Sequence, residues 1–133
     1  MRYRPEQHLR RTHEFSAVRQ FGLGRECGPF AFHLGPGQNT DLRRVGVVAS
    51  KRIGNAVARN RAKRRLREVF RLHQECLPAS CDLILTARRR VLTDPWELLV
   101  ERFRLTASRL GPKLAQQLAK ATAETSASTS EGA

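Results

Sequence analysis

The chain has 133 residues, the length of one domain and too short for a large multidomain enzyme. Lys and Arg total 25 against 12 Asp and Glu, a formal net charge of +13, and 21 of those cations are Arg. This balance excludes an acidic solvating tail protein and makes a polyanion the first partner to consider, because a guanidinium matches phosphate oxygens and stacks on flat rings.

The longest apolar runs stay near five residues, such as Val45–Ala49 interrupted only by Gly46, whereas a spanning helix needs roughly twenty. Met1-Arg2-Tyr3-Arg4-Pro5 carries no apolar segment of the kind that opens a signal peptide, so a cytoplasmic protein with no membrane partner is expected. Cys27, Cys76 and Cys81 are odd in number and lack CxxC spacing, which suits free thiols in a reducing compartment.

Residues 1–11 are basic and polar and predict a flexible arm, 12–118 a single patterned α/β domain, and 119–133 a disordered tail with almost nothing to bury. Within the domain, Thr12 is a good N-cap for a short helix carrying Phe15 and Val18, ended by Gly22 and Gly24. Pro29–Leu34 alternates, with Phe30, Phe32 and Leu34 on one face and Ala31 and His33 on the other, which predicts a half-buried strand. Val45–Ala49 predicts a central strand, Asn55 to His73 a long helix, and Asp82–Ala87 a second central strand. A last helix opens with Asp94 as N-cap, Pro95 at N1 and Glu97 at N3, buries a face with Leu99, Phe103, Ala107 and Leu110, and stops at Gly111-Pro112. The order α-β-β-α-β-α predicts a small α+β or α/β sandwich whose two central strands run parallel through the long helix.

That helix carries the chemistry. On a helical wheel Ala58, Ala62, Leu66, Val69, Phe70 and His73 form an apolar stripe, and Asn60, Lys63, Arg64, Arg67 and Arg71 form a polar row opposite, flanked by Arg61 and Arg65. Seven basic residues lie within positions 59–71 with Glu68 the lone acid. Like charges at this spacing repel by a few tenths of a kcal/mol per pair, so the row calls for an anion such as a phosphate backbone. Asn60 adds a group able to donate and accept at a base edge or a 2′-hydroxyl. Gly54 ahead of the helix serves either a positive φ or an ordinary turn.

Other chemistries fare worse. His73, Cys76 and Cys81 have irregular spacing and no fourth ligand for zinc. No Ser/His/Asp set, Walker-type glycine loop or HExxH helix is present, and carboxylates are too sparse for a protein-held metal centre; Glu68 and Glu75 read as charge partners. Phe30 and Phe32 are expected in the core, and Trp96 packed against the sheet. A DNA-binding regulator would want a helix-turn-helix, yet the Arg helix sits between two strands.

Lys51-Arg52-Ile53-Gly54-Asn55-Ala56-Val57, followed by Arg59-Asn60, Lys63-Arg64 and Arg67-Glu68, resembles the signature block of the bacterial ribonuclease P protein subunit. Leu9, Glu14-Phe15, Arg44-Val45-Gly46, Asp82-Leu83-Ile84 and Ala87-Arg88 extend the resemblance over roughly residues 8 to 110. The resemblance implies a fold similar to the second domain of ribosomal protein S5, with a left-handed crossover between parallel strands. It implies a monomeric, non-catalytic protein cofactor of a ribonucleoprotein that removes the 5′ leader of precursor tRNA, with magnesium held mainly by the catalytic RNA subunit. By the same resemblance Arg59, Asn60, Lys63, Arg64, Arg67 and Arg71 would contact the RNA subunit. Phe15, Arg19, His33, Lys51, Arg52, Arg88 and Arg89 would line a cleft for the single-stranded leader. Arg19 and His33 stand where family members often carry aromatics. A ribosomal RNA-binding protein of similar size and charge is the main alternative, and preference for precursor over mature tRNA separates the two.

Overall fold

The structure is a computed structural model that describes residues 5–37 and 42–131, the side chains of Pro5 and 121–131 excepted. Its regular elements are α1 (Thr12–Phe21), β1 (Leu23–Glu26), β2 (Phe30–Pro36), β3 (Arg43–Val48), α2 (Ala56–His73), β4 (Cys81–Ala87) and α3 (Trp96–Glu131). The four strands form one mixed sheet in the order β1-β2-β4-β3. β3 and β4 pair in parallel and are joined by α2, while β2 runs antiparallel to both of its neighbours.

Alternation along the strands sorts the two faces. Phe32 is paired with Leu85, and Leu85 with Val47, so these residues project to one side. Against that side α2 packs Ala62, Leu66, Val69 and Phe70, and α3 packs Leu99, Phe103, Ala107, Leu110 and Leu114, all buried. Phe32 and Phe103 meet edge-on with centroids 5.6 Å apart. Residues one step along, His33, Ile84 and Gly46, share the other face, which α1 covers in part through Phe15 and Val18. Covering both faces makes β2 almost wholly buried rather than half-buried.

Several expectations need correction. The element order gains a strand: β1 is a short edge strand through Leu23 and Gly24, where helix-ending glycines are expected. His33 explains Gly24, since a Cβ there would stand 2.7 Å from its ring. The basic arm is not free over its whole length. Pro5–Gln7 forms a turn of 3-10 helix, the Leu9 N–H donates to Val45 O at 2.9 Å, and Leu9 and Gln7 are buried. Gln7 Nε2 donates to Arg43 O at 2.8 Å and to Gln74 Oε1 at 2.9 Å, so a polar side chain anchors what composition alone marks as mobile.

The N-cap of α1 is Arg11, one residue before Thr12, with the Glu14 carboxylate accepting from the Arg10 and Arg11 N–H groups. At α3 the Pro95 carbonyl accepts the first helical N–H bonds, which displaces Asp94 from the cap. This helix does not stop at Gly111-Pro112: Leu110 and Leu114 are both buried, and continuing through Pro112 keeps Leu114 on the apolar face. The backbone stays helical to Glu131, in the segment for which composition predicts disorder.

Candidate nucleic-acid interface

Helix α2 starts cleanly because Asn55 Oδ1 accepts from the Ala58 N–H at 2.9 Å. Gly54, just before it, sits at φ +141°, a backbone conformation that side chains rarely adopt, so the positive-φ role holds at this position. The buried stripe turns Asn60, Arg61 and Arg64 to solvent, with Arg59, Lys63 and Arg67 half-exposed beside them. Among the described residues none of these six makes a side-chain hydrogen bond or ion pair within the protein. Arg67 lies close enough to His8 that, after burial and Arg10, its charge helps hold that imidazole below its ordinary pKa.

Two arginines of the helix are already engaged. Arg71 turns onto Glu68, with Nε 3.1 Å from Oε2 and Nη2 on Oε1, an exposed i,i+3 pair that a phosphate can compete for. Arg65 donates through Nη1 to Val91 O at 2.7 Å and through Nη2 to Asp94 O at 3.1 Å. It therefore serves as a strut between α2 and the loop before α3. Its neighbours Arg61 and Arg64 have no such acceptors among the described residues, a distinction that residue type cannot reveal.

A second basic set gathers at the carboxyl ends of β3 and β4. Lys51 and Arg52 follow β3, Arg88 and Arg89 follow β4, and a groove of about 240 Å³ runs between Arg52, Ile53, Ala87, Arg88 and Arg89. Arg89 Nε donates to Arg52 O at 2.9 Å, and Arg88 pairs with Glu26 of β1 at 3.0 Å. On the sheet face, Arg19 lies 6.0 Å from the Phe15 ring centroid. The partly buried His33 is held below its ordinary pKa by desolvation and then by Arg19 and Arg88, and its Nδ1 is buried with no hydrogen-bond partner. The seven residues assigned to the leader cleft thus fall into two linked groups: Phe15, Arg19, His33 and Arg88 along the sheet, and Lys51, Arg52, Arg88 and Arg89 at its end.

Three residues without an assigned role hold α1 in position. Arg44 grips Asp82 with two hydrogen bonds, Nε to Oδ1 at 2.9 Å and Nη2 to Oδ2 at 2.8 Å, and its Nη1 pairs with Glu14. The Asp82 side chain is only 1% exposed. Burial pushes the Glu14 carboxyl up, but the Arg11 and Arg10 N–H groups and Arg44 outweigh it and hold it below the ordinary value. The next residue, Phe15, lies against Gly46, where a Cβ would stand 2.6 Å from Phe15 Cε1. Glu14 and Arg44 are oppositely charged at a sequence separation of 30, and nothing local announces their meeting.

The thiols take no part in this surface. Cys27 Sγ lies 3.1 Å from Thr106 Oγ1, and burial pushes the Cys81 thiol up to about 12. Among the described residues no three His, Cys, Asp or Glu side chains converge as a metal site, and no helix is long and apolar enough to cross a membrane.

Fold and surface together define a small basic α+β protein with a cationic helix docked on one sheet face and a cationic groove at the carboxyl ends of β3 and β4. The family model for ribonuclease P matches residues 3–111, and the chain belongs to that family, the protein components of the tRNA-processing ribonuclease P holoenzyme. It is 37% identical over 84 residues to the ribonuclease P protein component of Halalkalibacterium halodurans, covering 63% of this chain and 71% of the relative. It is 39% identical over 83 residues to that of Shouchella clausii, covering 62% and 68%. The fold is that of the solved RNase P proteins from Thermotoga maritima (TM-score 0.67, 23% identity, 77% of this chain and 96% of that one) and Staphylococcus aureus (TM-score 0.66, 23% identity, 79% and 97%).

Proposed function

We propose that this protein binds the catalytic RNA of ribonuclease P through α2 and holds the single-stranded 5′ leader of precursor tRNA in the cleft between α1, the sheet and the ends of β3 and β4. The leader is then hydrolysed off by the RNA. The observation that carries the proposal is the α2 surface: Arg59, Asn60, Arg61, Lys63, Arg64 and Arg67 with no described protein partner for their side chains. A structured RNA supplies phosphates for the cations and 2′-hydroxyls or base edges for the Asn60 amide. Arg71 joins them by exchanging Glu68 for a phosphate.

The cleft suits an unpaired strand. Phe15 and the Arg19 guanidinium offer stacking surface beside the partly buried His33 ring, and Lys51, Arg52, Arg88 and Arg89 hold backbone phosphates. On this reading the magnesium that the hydrolysis needs is held mainly by the catalytic RNA subunit. The protein's part is to neutralise, position and retain substrate.

Binding tests this directly. The protein assembled with a bacterial ribonuclease P RNA should bind precursor tRNA more tightly than the same tRNA lacking its leader. Equal affinity for both would remove the leader cleft from the account and favour a ribosomal or other RNA-binding role.

A further inference from the structure

We propose that the groove between α2 and the first turn of α3 accepts one unpaired base of the RNA subunit, stacked on Trp96, an inference that rests on α2 being the RNA-docking face. The groove has a volume of about 280 Å³ and is lined by Arg61, Arg64, Arg65, Glu68 and Trp96. Its lining is largely apolar although four of its five residues are charged. Two of the four charges are occupied: the Arg65 guanidinium by the carbonyls of Val91 and Asp94, and the Glu68 carboxylate by Arg71. What remains is an apolar wall containing a half-buried indole, with the exposed cations Arg61 and Arg64, which pair with no described residue, at its rim.

Such a surface matches a nucleotide in both its parts. A flat base buries its face against tryptophan, and the phosphate that follows meets the two arginines. A bare phosphate would want converging donors at the floor, which this groove lacks. Arg65 also braces both walls in the free protein, since its two hydrogen bonds tie α2 to the loop leading into α3; no rearrangement is needed to open the site. On the far side of Arg61 and Arg64 lies a second depression of about 480 Å³, bordered by Leu92 and by Val57, which is 76% exposed. The two arginines thus form a cationic ridge between the apolar groove and a depression of mixed polarity, as a strand crossing the helix with its phosphates on the ridge would use.

Trp96 is the only tryptophan, so its fluorescence reports on this groove alone. The full-length protein is titrated with a bacterial ribonuclease P RNA, following emission and, in parallel, retention of the complex on a filter. The expected result is quenching that saturates together with binding. Inorganic polyphosphate, which has charge but no bases, should compete for the arginines and leave the emission unchanged. Trp96→Leu should weaken binding of the RNA subunit by roughly five- to a hundredfold, the worth of one stacked base, and Trp96→Phe should retain most of the affinity. If Trp96→Leu fails to fold by circular dichroism, the wild-type titration decides.

RNA retained on the filter with unchanged emission would overturn the inference and leave the docking role of α2 standing. Quenching by polyphosphate, or by polyglutamate as strongly as by RNA, would overturn it in favour of a purely ionic or protein-binding surface. No retention of RNA at any concentration would refute the docking reading itself, and the inference with it.

Discussion

Asp82→Ala should be among the most damaging single substitutions outside the apolar core. The carboxylate is buried away from bulk solvent and accepts two hydrogen bonds from Arg44. Removing one partner of a buried pair costs roughly 3–5 kcal/mol, because the other charge is left uncompensated. Here Arg44 is 13% exposed and keeps Glu14, so the lower end applies, about 3 kcal/mol. For a domain of this size that lowers the melting temperature by roughly 10–20 °C. The assay is urea unfolding of the wild type, Asp82→Ala, Arg44→Met and the double variant.

The cluster also predicts a pH dependence. The folded-state pKa of Glu14 lies below its ordinary value of 4.5, so its contribution is complete above that value and fades as pH falls through the folded-state pKa. Glu14→Gln should flatten this acid limb. A loss below 1 kcal/mol for Asp82→Ala, or an equal loss in the Arg44→Met background, would show that the two residues do not act together and would refute the reasoning.

Arg67→Ala should weaken binding to the RNA subunit and reduce the log–log salt slope by about 0.7–0.9, one phosphate's worth, while an unchanged slope would remove Arg67 from the interface. Phe15→Ala should leave assembly with the RNA subunit nearly intact and cost about 1–3 kcal/mol in precursor binding, measured by titrating labelled precursor into the assembled complex. Equal losses in both assays would contradict the division between the helix and the cleft. Pro112→Ala should stabilise the protein by about 1–3 kcal/mol in thermal unfolding and raise its helical circular dichroism, because an interior proline deletes a backbone bond; no gain would mean that α3 ends at Gly111.

What the sequence reveals follows from the range over which each signal acts. Strands β2, β3 and β4 and helix α2 are legible because their apolar patterning is continuous, and the cationic face of α2 is legible because seven charges fall within one helix. Strand β1 is not, since Leu23-Gly24-Arg25-Glu26 has one apolar residue and becomes a strand only by pairing with β2. The anchored arm depends on Leu9 and Gln7 meeting β3 and Gln74, contacts that span 36 and 67 residues. Local punctuation at Gly111-Pro112 signals a stop, and the tertiary demand for Leu114 in the core overrides it.

The interface shows the same division. Arg59, Asn60, Lys63, Arg64 and Arg67 can be read from helical spacing, and the structure leaves them without described protein partners. Arg71 carries the same local signature and proves to be paired with Glu68. Arg61 and Arg65, flanking the row on the same side, separate only when the carbonyls of Val91 and Asp94 come into place. Trp96 is expected against the sheet and does pack on the core cluster, but only half-buried and with its other side lining a surface groove, because the register of α3 that buries Leu99 and Phe103 leaves the first turn at the edge.

The most direct test of the central claim is reconstitution. The purified protein is combined with a bacterial ribonuclease P RNA at low magnesium, and precursor tRNA cleavage is followed with the RNA alone, the protein alone and both together. The account predicts strong protein-dependent cleavage at the mature 5′ end with both, and none from the protein alone. Binding of the RNA without any stimulation of cleavage would contradict it.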